Sequence, residues 1–491
     1  MKIGIDFGTS FSLPAGVVND MAVTLLPAGE YGIPSVFYYD SEVGVQIGVS
    51  AEENADYNPA YVKRDIKMEI SSKTDTFVAD NRAFSKKEIV GYIFREIARV
   101  SREECMHRAL KSQDIEGVVI SVPAAFSLRE LTFIREAAQL PVERGGAGLK
   151  VLGFIREPVA AAISYFNAPN AEDEKTILVY DLGGGTCDVA IVRSSRTSRE
   201  WYKVLGSEME RLGGRDWDDA LIKLIKQKYA ERGGPLVYNL EAERSIRKKA
   251  VQAKHNLSRG PSARVAITLA GRTHSCVITT DEFERATQSL LDRSMHIVDK
   301  LMRTCTAHID YIVCVGGSSN MPQVAKAFEK QYPSIPVRLF EPDKAIAFGA
   351  AIYAQHLNEE QYLRDICKFS YGAEYVEDFD KYHDKNRLKI WNIIFKDTPL
   401  PASGKSNSQR ISDSDDDTYI AVYESECTDS IYPPEQGTYI GDVRITGITN
   451  GKKGDSTTLT MTIDQSGLMN LKAVDNKTEK TGYAEIQLKD F

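Results

Sequence analysis

Two stretches of the chain carry one pattern: an apolar strand that ends on aspartate, a glycine- and threonine-rich turn, and a second apolar strand. The first is Ile3-Gly4-Ile5-Asp6-Phe7-Gly8-Thr9-Ser10. The second is Ile177-Leu178-Val179-Tyr180-Asp181-Leu182-Gly183-Gly184-Gly185-Thr186-Cys187-Asp188, which continues into Val189-Ala190-Ile191-Val192. Apolar runs on both sides of such a turn predict a β-hairpin. The two copies lie too far apart for a solenoid repeat; they predict two similar lobes, each giving a hairpin to one shared cleft. A third apolar run, Tyr311 to Val315, predicts a strand leading into Gly316-Gly317-Ser318-Ser319-Asn320. A helix should follow with Pro322 in its first turn, where a missing N–H costs nothing. Helical stretches at Lys86 to Met106, Arg129 to Gln139, Trp217 to Tyr229, Glu241 to Leu257 and Ala345 to Gln355 fill the intervals. Strands alternating with helices place this part of the chain in the α/β class.

The pattern changes after Leu357. Residues 358–368 read as a polar, mixed linker, and from Phe369 onward strands and turns replace helical periodicity. Leu459, Met461 and Ile463 alternate with Thr458, Thr460 and Thr462, the period-2 signature of a half-buried strand. Tyr419 to Tyr423 and Arg444-Ile445-Thr446 add β-branched and aromatic strand content. The expected division is therefore residues 1–357, the linker, and an all-β domain over 369–491. Within that domain, Asp413 to Asp417 reads as a solvated acidic loop.

Composition narrows the class. At about 150 residues per domain, 491 residues amount to roughly three domain equivalents. A content of 42% hydrophobic and 26% charged residues allows large buried cores. The 61 basic and 69 acidic residues leave a formal charge of −8, which argues against a nucleic-acid partner. No apolar run reaches the roughly 18 to 20 residues needed to span a bilayer, so no membrane partner is expected. Seven cysteines without a Cys-x-x-Cys pair suggest neither a disulfide framework nor a thiolate zinc site. The chain opens directly into the strand Lys2 to Asp6, leaving no room for a signal peptide. A soluble protein of a reducing compartment, and so a cytoplasmic location, is the expectation.

The glycine turns suggest the chemistry. Glycine lets backbone approach a phosphate, and N–H groups in such turns point at anions. An aspartate at the strand end faces the same space and can hold Mg²⁺ through water. The P-loop alternative fails: Gly404-Lys405-Ser406 resembles its tail, but Pro399 stands where the first glycine belongs, so the triplet reads as a loop. Two hairpin turns together with Gly316-Gly317-Ser318 point to a nucleotide site.

These stretches resemble the 70-kDa heat-shock chaperone family of the actin-like ATPase superfamily. The matching motifs run in the family's order: Gly4 to Ser10, Glu157-Pro158-Val159-Ala160-Ala161-Ala162, Asp181 to Asp188, Leu212-Gly213-Gly214-Arg215-Asp216-Trp217-Asp218, Val315-Gly316-Gly317-Ser318, and Pro342-Asp343-Lys344-Ala345 through Gly349-Ala350-Ala351. The resemblance implies an α/β, two-lobed actin-like ATPase domain followed by an all-β sandwich. It implies slow hydrolysis of ATP to ADP and phosphate with Mg²⁺, achieved mostly by positioning and charge neutralisation. Gly8, Thr9, Ser10 and Phe11 would line the first phosphate turn, and Gly183, Gly184, Gly185 and Thr186 the second. Asp6 and Asp181 would hold the hydrated Mg²⁺, with Asp188 nearby. Lys63, in Tyr61-Val62-Lys63-Arg64, falls where the family keeps a lysine reaching the γ-phosphate and the attacking water; taken alone it reads as a surface lysine. Glu157 would sit near that water, and taken alone reads as a carboxylate at a helix start. Lys63, Glu157, Asp181 and Thr186 are thus the expected catalytic set. Gly213, Gly214, Gly316, Gly317, Ser318, Asn320 and Asp343 complete the nucleotide site, with Lys254, His255 and Ser258 on the adenosine-contacting helix. Where the family sets two arginines against the adenine, this chain has His255 and Asn320; histidine can stack, but asparagine offers no cationic plane.

The C-terminal stretch resembles the family's β-sandwich more loosely, through Lys396-Asp397-Thr398-Pro399-Leu400-Pro401, Val422 to Glu426, Ile440-Gly441-Asp442, and Ile463 to Leu468 through Ala473-Val474-Asp475. Such a domain implies an unfolded or extended polypeptide as partner, held by backbone hydrogen bonds and a side-chain pocket. A J-domain cochaperone and a nucleotide exchange factor are the further partners implied. Trp391, Ile393 and Ile394 lie near the groove or in the core. The sequence stops at Phe491, so the family's helical lid is expected to be missing, and Tyr362 to Cys367 is less apolar than the family's connector. A nucleotide-dependent interaction or sensor protein with one dedicated partner and little turnover is the alternative. A small-molecule kinase on the same fold would want a substrate-facing carboxylate base instead.

Overall fold

The computed structural model describes residues 1–72, 76–110, 114–140, 148–169, 171–197, 200–233, 237–269, 272–359, 361–377, 388–410, 413, 417–464 and 467–485. The chain divides into two units. Met1–Ala124, Ala137–Arg196 and Ser207–Leu357 form the first; Ala125–Glu136, Thr197–Gly206 and Asn358–Phe491 form the second.

The first unit is built on two sheets of the same plan. In one, the strand Lys2–Phe7 runs parallel to Gly117–Val122 and antiparallel to Phe11–Val18. In the other, Thr176–Leu182 runs parallel to Tyr311–Val315 and antiparallel to Cys187–Ser194. The doubled hairpin read from the sequence is therefore a doubled sheet. Every residue of Thr176–Leu182 is buried, as expected of a strand covered on both faces. The helices Glu157–Phe166 and Ala345–Gln355 cross at backbone contact: a Cβ on Gly349 would fall 1.7 Å from Ala160 O. The helix Lys86–His107 starts on a capping box, in which Ser85 and Glu88 satisfy each other's backbone N–H.

This plan collects acidic residues along one edge. Asp6 closes its parallel ladder opposite Ser121, Asp181 closes its own opposite Val315, and Glu157 follows directly on the strand Val151–Arg156. The carboxyl ends of parallel strands are where open α/β sheets bind ligands.

The second unit is dominated by two antiparallel sheets. One is ordered Ile431–Tyr432, Leu388–Ile394, Ser370–Val376, Thr418–Ser425 and Thr438–Ile445; the other Ala402–Gln409, Ser456–Ile463, Met469–Asp475 and Thr481–Glu485. Leu459, Met461 and Ile463 all point into the core, as their alternation demands. One expectation is corrected. Gly404-Lys405-Ser406 is not a loop but the middle of Ala402–Gln409, an edge strand whose small polar residues suit its largely exposed course. Within residues 358–368, Leu363–Arg364 pairs in parallel with Tyr202 and Lys203, and Ile366 bridges Pro399. Ile394 is buried and Ile393 half-buried, while Trp391 is half exposed. Of the acidic stretch Asp413 to Asp417, residues 414–416 lie outside the described residues. All seven cysteines are free thiols. Among the described residues, no helix is long and apolar enough to cross a membrane.

Candidate functional site

The two glycine turns face each other in the first unit. Ser35 pins the first turn, its N–H donating to Ser10 O at 2.9 Å and its hydroxyl to Gly8 O at 2.8 Å. Thr9 is buried there, whereas Ser10 and Phe11 are exposed. The second turn closes through the Gly183 N–H to Thr186 O at 3.0 Å. The helix Gly214–Glu231 starts on it, with the N–H groups of Gly214 and Arg215 donating to Gly183 O and Gly184 O at 2.9 Å each. Glycine is required at the junction, because a Cβ on Gly213 would lie 2.4 Å from Gly185 N. Across the gap, a Cβ on Gly184 would come within 2.8 Å of Ser10 Oγ.

The third glycine turn closes the far side. Gly316 adopts φ +79°, and its N–H donates to Pro342 O. Ser318 Oγ donates to Gly183 O at 3.1 Å, Asn320 Nδ2 donates to Gly317 O at 3.0 Å, and a Cβ on Gly317 would lie 3.1 Å from Asp343 Oδ1. Lys254 is buried, with its ammonium 2.9 Å from both Gly214 O and Asp218 Oδ1, so it braces the helix start. Ser258 Oγ turns back to Lys254 O. His255 is exposed; partial burial of its ring and the adjacent Lys254 charge hold it below the usual histidine range.

Between the turns lies a cluster of acids. Oxygens of Glu157, Asp181 and Asp188 all fall within 4.8 Å of one another, and all three residues are buried. Asp6 accepts the Ser121 hydroxyl at 3.1 Å, and Asp188 accepts the Ala124 N–H at 2.6 Å. Burial first, and the Glu157 charge second, push Asp6 and Asp188 up to about 7. The same two causes raise Asp181 well above the carboxylate range. Among the described residues one ammonium answers this charge: Lys67 Nζ donates to Glu157 Oε1 at 2.5 Å in a pair only 3% and 6% exposed. Burial pulls the Lys67 ammonium down, but Glu157 and Asp6 outweigh it and hold it above the ordinary lysine range.

The structure thus brings Asp6, Glu157, Asp181, Thr186 and Asp188 together with the glycine turns, but it does not bring Lys63. Lys63 Nζ sits 2.7 and 2.6 Å from the two oxygens of Glu69, over the Phe77 ring at 5.9 Å from its centroid. The ammonium in the cluster belongs to Lys67, four residues further on. The acids fit a hard, hydrated divalent cation, since they offer oxygen ligands in excess of one lysine. The buried Asp181 Oδ1 also has no hydrogen-bond partner among the described residues.

Comparison with known proteins identifies the family. The model of the family described as Hsp70 protein matches residues 65–490. The chain is 27% identical over 490 residues to a chaperone protein DnaK of Halobacterium salinarum, covering 96% of this chain and 73% of that one. It is 30% identical over 403 residues to a chaperone protein HscA homolog of Methylobacillus flagellatus, covering 76% and 62%. It is 27% identical over 501 residues to a chaperone protein DnaK of Mesomycoplasma hyopneumoniae, covering 97% and 77%. The chain belongs to the Hsp70 protein family.

Proposed function

We propose that this Hsp70-family chain binds ATP with Mg²⁺ between its glycine turns and slowly hydrolyses it to ADP and phosphate. The cycle would regulate capture of an extended polypeptide by the β-sheets of the second unit. The observation that carries the reading is the buried cluster of Glu157, Asp181 and Asp188 around Lys67, with the half-buried Asp6 beside it, set between two phosphate-type turns.

Each residue has a definable task. The backbone N–H groups of Thr9 to Phe11 and of Gly184 to Thr186 would hold phosphate oxygens, as turns of this kind do. Asp6 and Asp181 would hold hydrated Mg²⁺, with Asp188 behind them. The ion supplies neutralisation of phosphate charge when bound. Lys67 takes the place expected of Lys63: a fixed ammonium that stabilises charge growing on the transferred phosphoryl group. Glu157, held by Lys67, would orient an attacking water, and Thr186, hydrogen-bonded to Asp188 on the second turn, would complete the catalytic set. Asn320 and His255 would face the base without a guanidinium plane, which lowers affinity for adenine. A J-domain cochaperone and an exchange factor fit the reading as partners, and a cytoplasmic location fits the free thiols.

The experiment is single-turnover hydrolysis of radiolabelled ATP, with and without a panel of unfolded peptides. Slow turnover that peptides accelerate supports the coupled cycle. Tight ATP binding without turnover, or turnover indifferent to every peptide, refutes it and leaves the sensor reading.

A further inference from the structure

The lysine of the cluster rides on a segment of the first lobe that is tied to the second. Lys67 lies in the short 3-10 turn Ile66–Glu69. Asp65, just before it, has φ +56° and ψ +23°, a left-handed conformation that few residues other than glycine adopt and that aspartate tolerates. Aspartate at a helix start normally accepts an N–H of the first turn. Asp65 makes no such bond; its carboxylate reaches Arg215, 3.2 Å away across the cleft. Arg215 is as poor a local choice, because it occupies the second position of the helix Gly214–Glu231, where positive charge opposes the helix dipole. Each residue is unfavourable in its own element and is explained by the other.

Further ties fix the same strap. Arg211 donates to Met68 O at 3.5 Å and to Ser71 Oγ at 3.2 Å. Met68 lies over the second glycine turn, its Sδ 2.6 Å from where a Cβ on Gly185 would be. At the far end, the buried Lys86 donates to Glu69 O at 3.0 Å and Ser72 O at 2.6 Å.

We infer that Asp65 and Arg215 are positioning residues: their ion pair across the cleft holds the strap 65–72 in the register that puts Lys67 on Glu157. The ammonium then reaches the phosphate site only while the lobes are closed. The strap's register is independent of any reaction; its bearing on turnover rests on the function proposed above.

The two are tested separately on the full chain with Arg215→Ala, Arg215→Lys, Lys67→Ala and the double variant Lys67→Ala/Arg215→Ala. Acylation of Lys67 by an amine-reactive ester, read by mass spectrometry, reports the strap without turnover. Arg215→Ala should speed labelling by about fivefold, the scale of a half-exposed pair, and Arg215→Lys should restore most of the protection. In single-turnover hydrolysis, Arg215→Ala should slow the rate about fivefold with nucleotide affinity held within about twofold. It should cause no further loss in the Lys67→Ala background. Unchanged Lys67 labelling in Arg215→Ala overturns the inference, as does an additive loss in the double variant. A wild type that binds ATP without turning it over refutes the proposed function, while the labelling still decides the strap.

Discussion

Replacing Lys67 by alanine leaves Glu157, only 5% exposed, facing three other acids with no ammonium among the described residues to answer them. The carboxylate must then stay ionised without a partner or take a proton. At pH 7 a carboxyl of ordinary pKa near 4.3 is protonated at a cost of about 3.7 kcal/mol, and this caps the penalty within the ~3–5 kcal/mol typical of a broken buried pair. The loss should therefore be about 3–4 kcal/mol at pH 7. A group whose folded-state pKa is raised destabilises more as pH climbs above its unfolded value, so the loss should shrink to about 1 kcal/mol at pH 5. Lys63→Ala is the matched contrast. Its pair with Glu69 is 20% and 39% exposed and should be worth about 1 kcal/mol or less. For turnover, losing a preorganised charge at the reacting centre costs about 100-fold or more, whereas Lys63→Ala should cost less than about fivefold. Denaturant unfolding of the nucleotide-free protein at the two pH values, followed through the fully buried Trp217 of the first unit, measures the first effect. Single-turnover hydrolysis measures the second. The reasoning fails if Lys63→Ala proves the costlier substitution in either assay, or if the Lys67→Ala deficit does not shrink at pH 5.

Gly349→Ala places a Cβ 1.7 Å from the Ala160 carbonyl oxygen, where neither helix backbone can yield, so it should lower stability by about 3 kcal/mol or prevent folding; thermal melts check this. Burial pushes Glu424 up to about 8, so its protonated form stabilises the fold and that contribution fades as pH rises from about 4.5 to 8. Glu424→Gln should accordingly raise the melting temperature at pH 8.5 and change it little at pH 4.5, and equal shifts at both would contradict the assignment. Binding of Mg²⁺·ADP should weaken below pH 7, by up to about tenfold per unit for each proton displaced, because Asp6 and Asp188 must give up protons that they hold up to about 7. Calorimetry at pH 6 and pH 8 decides this, and pH-independent binding would refute it.

The fold was legible where its signals are local. A strand ending on aspartate before a glycine turn is visible in a dozen residues, and the helix Ala345–Gln355 was read to its observed bounds. Gly404-Lys405-Ser406 was misread because an edge strand asks for little apolar alternation, and Ser403, Lys405 and Asn407 supply none. The acids of the site were legible because strand ends carry them to one edge. That Lys67 rather than Lys63 lies among them was not, because it depends on how one turn of backbone is folded.

That turn shows what a position in a motif leaves undetermined. Lys63 precedes Asp65 and Lys67 follows it, and the left-handed step at Asp65 redirects the chain between them. Before the step, Lys63 lies beside Phe37 on a small sheet and finds Glu69. After it, the 3-10 turn aims Lys67 inward, beside the face of Phe7 at 5.8 Å and onto Glu157. Two lysines four residues apart thus meet different solvents, and electrostatics separates their roles. An ammonium among buried carboxylates gains far more from its charge than one paired at a half-exposed edge. Lys67 can hold that place only while the step before it is maintained, and the carboxylate of Asp65 is spent on Arg215 rather than on its own helix. Where a buried charge is delivered by a strained turn, the residue opposite the turn belongs to the site as much as the charge does.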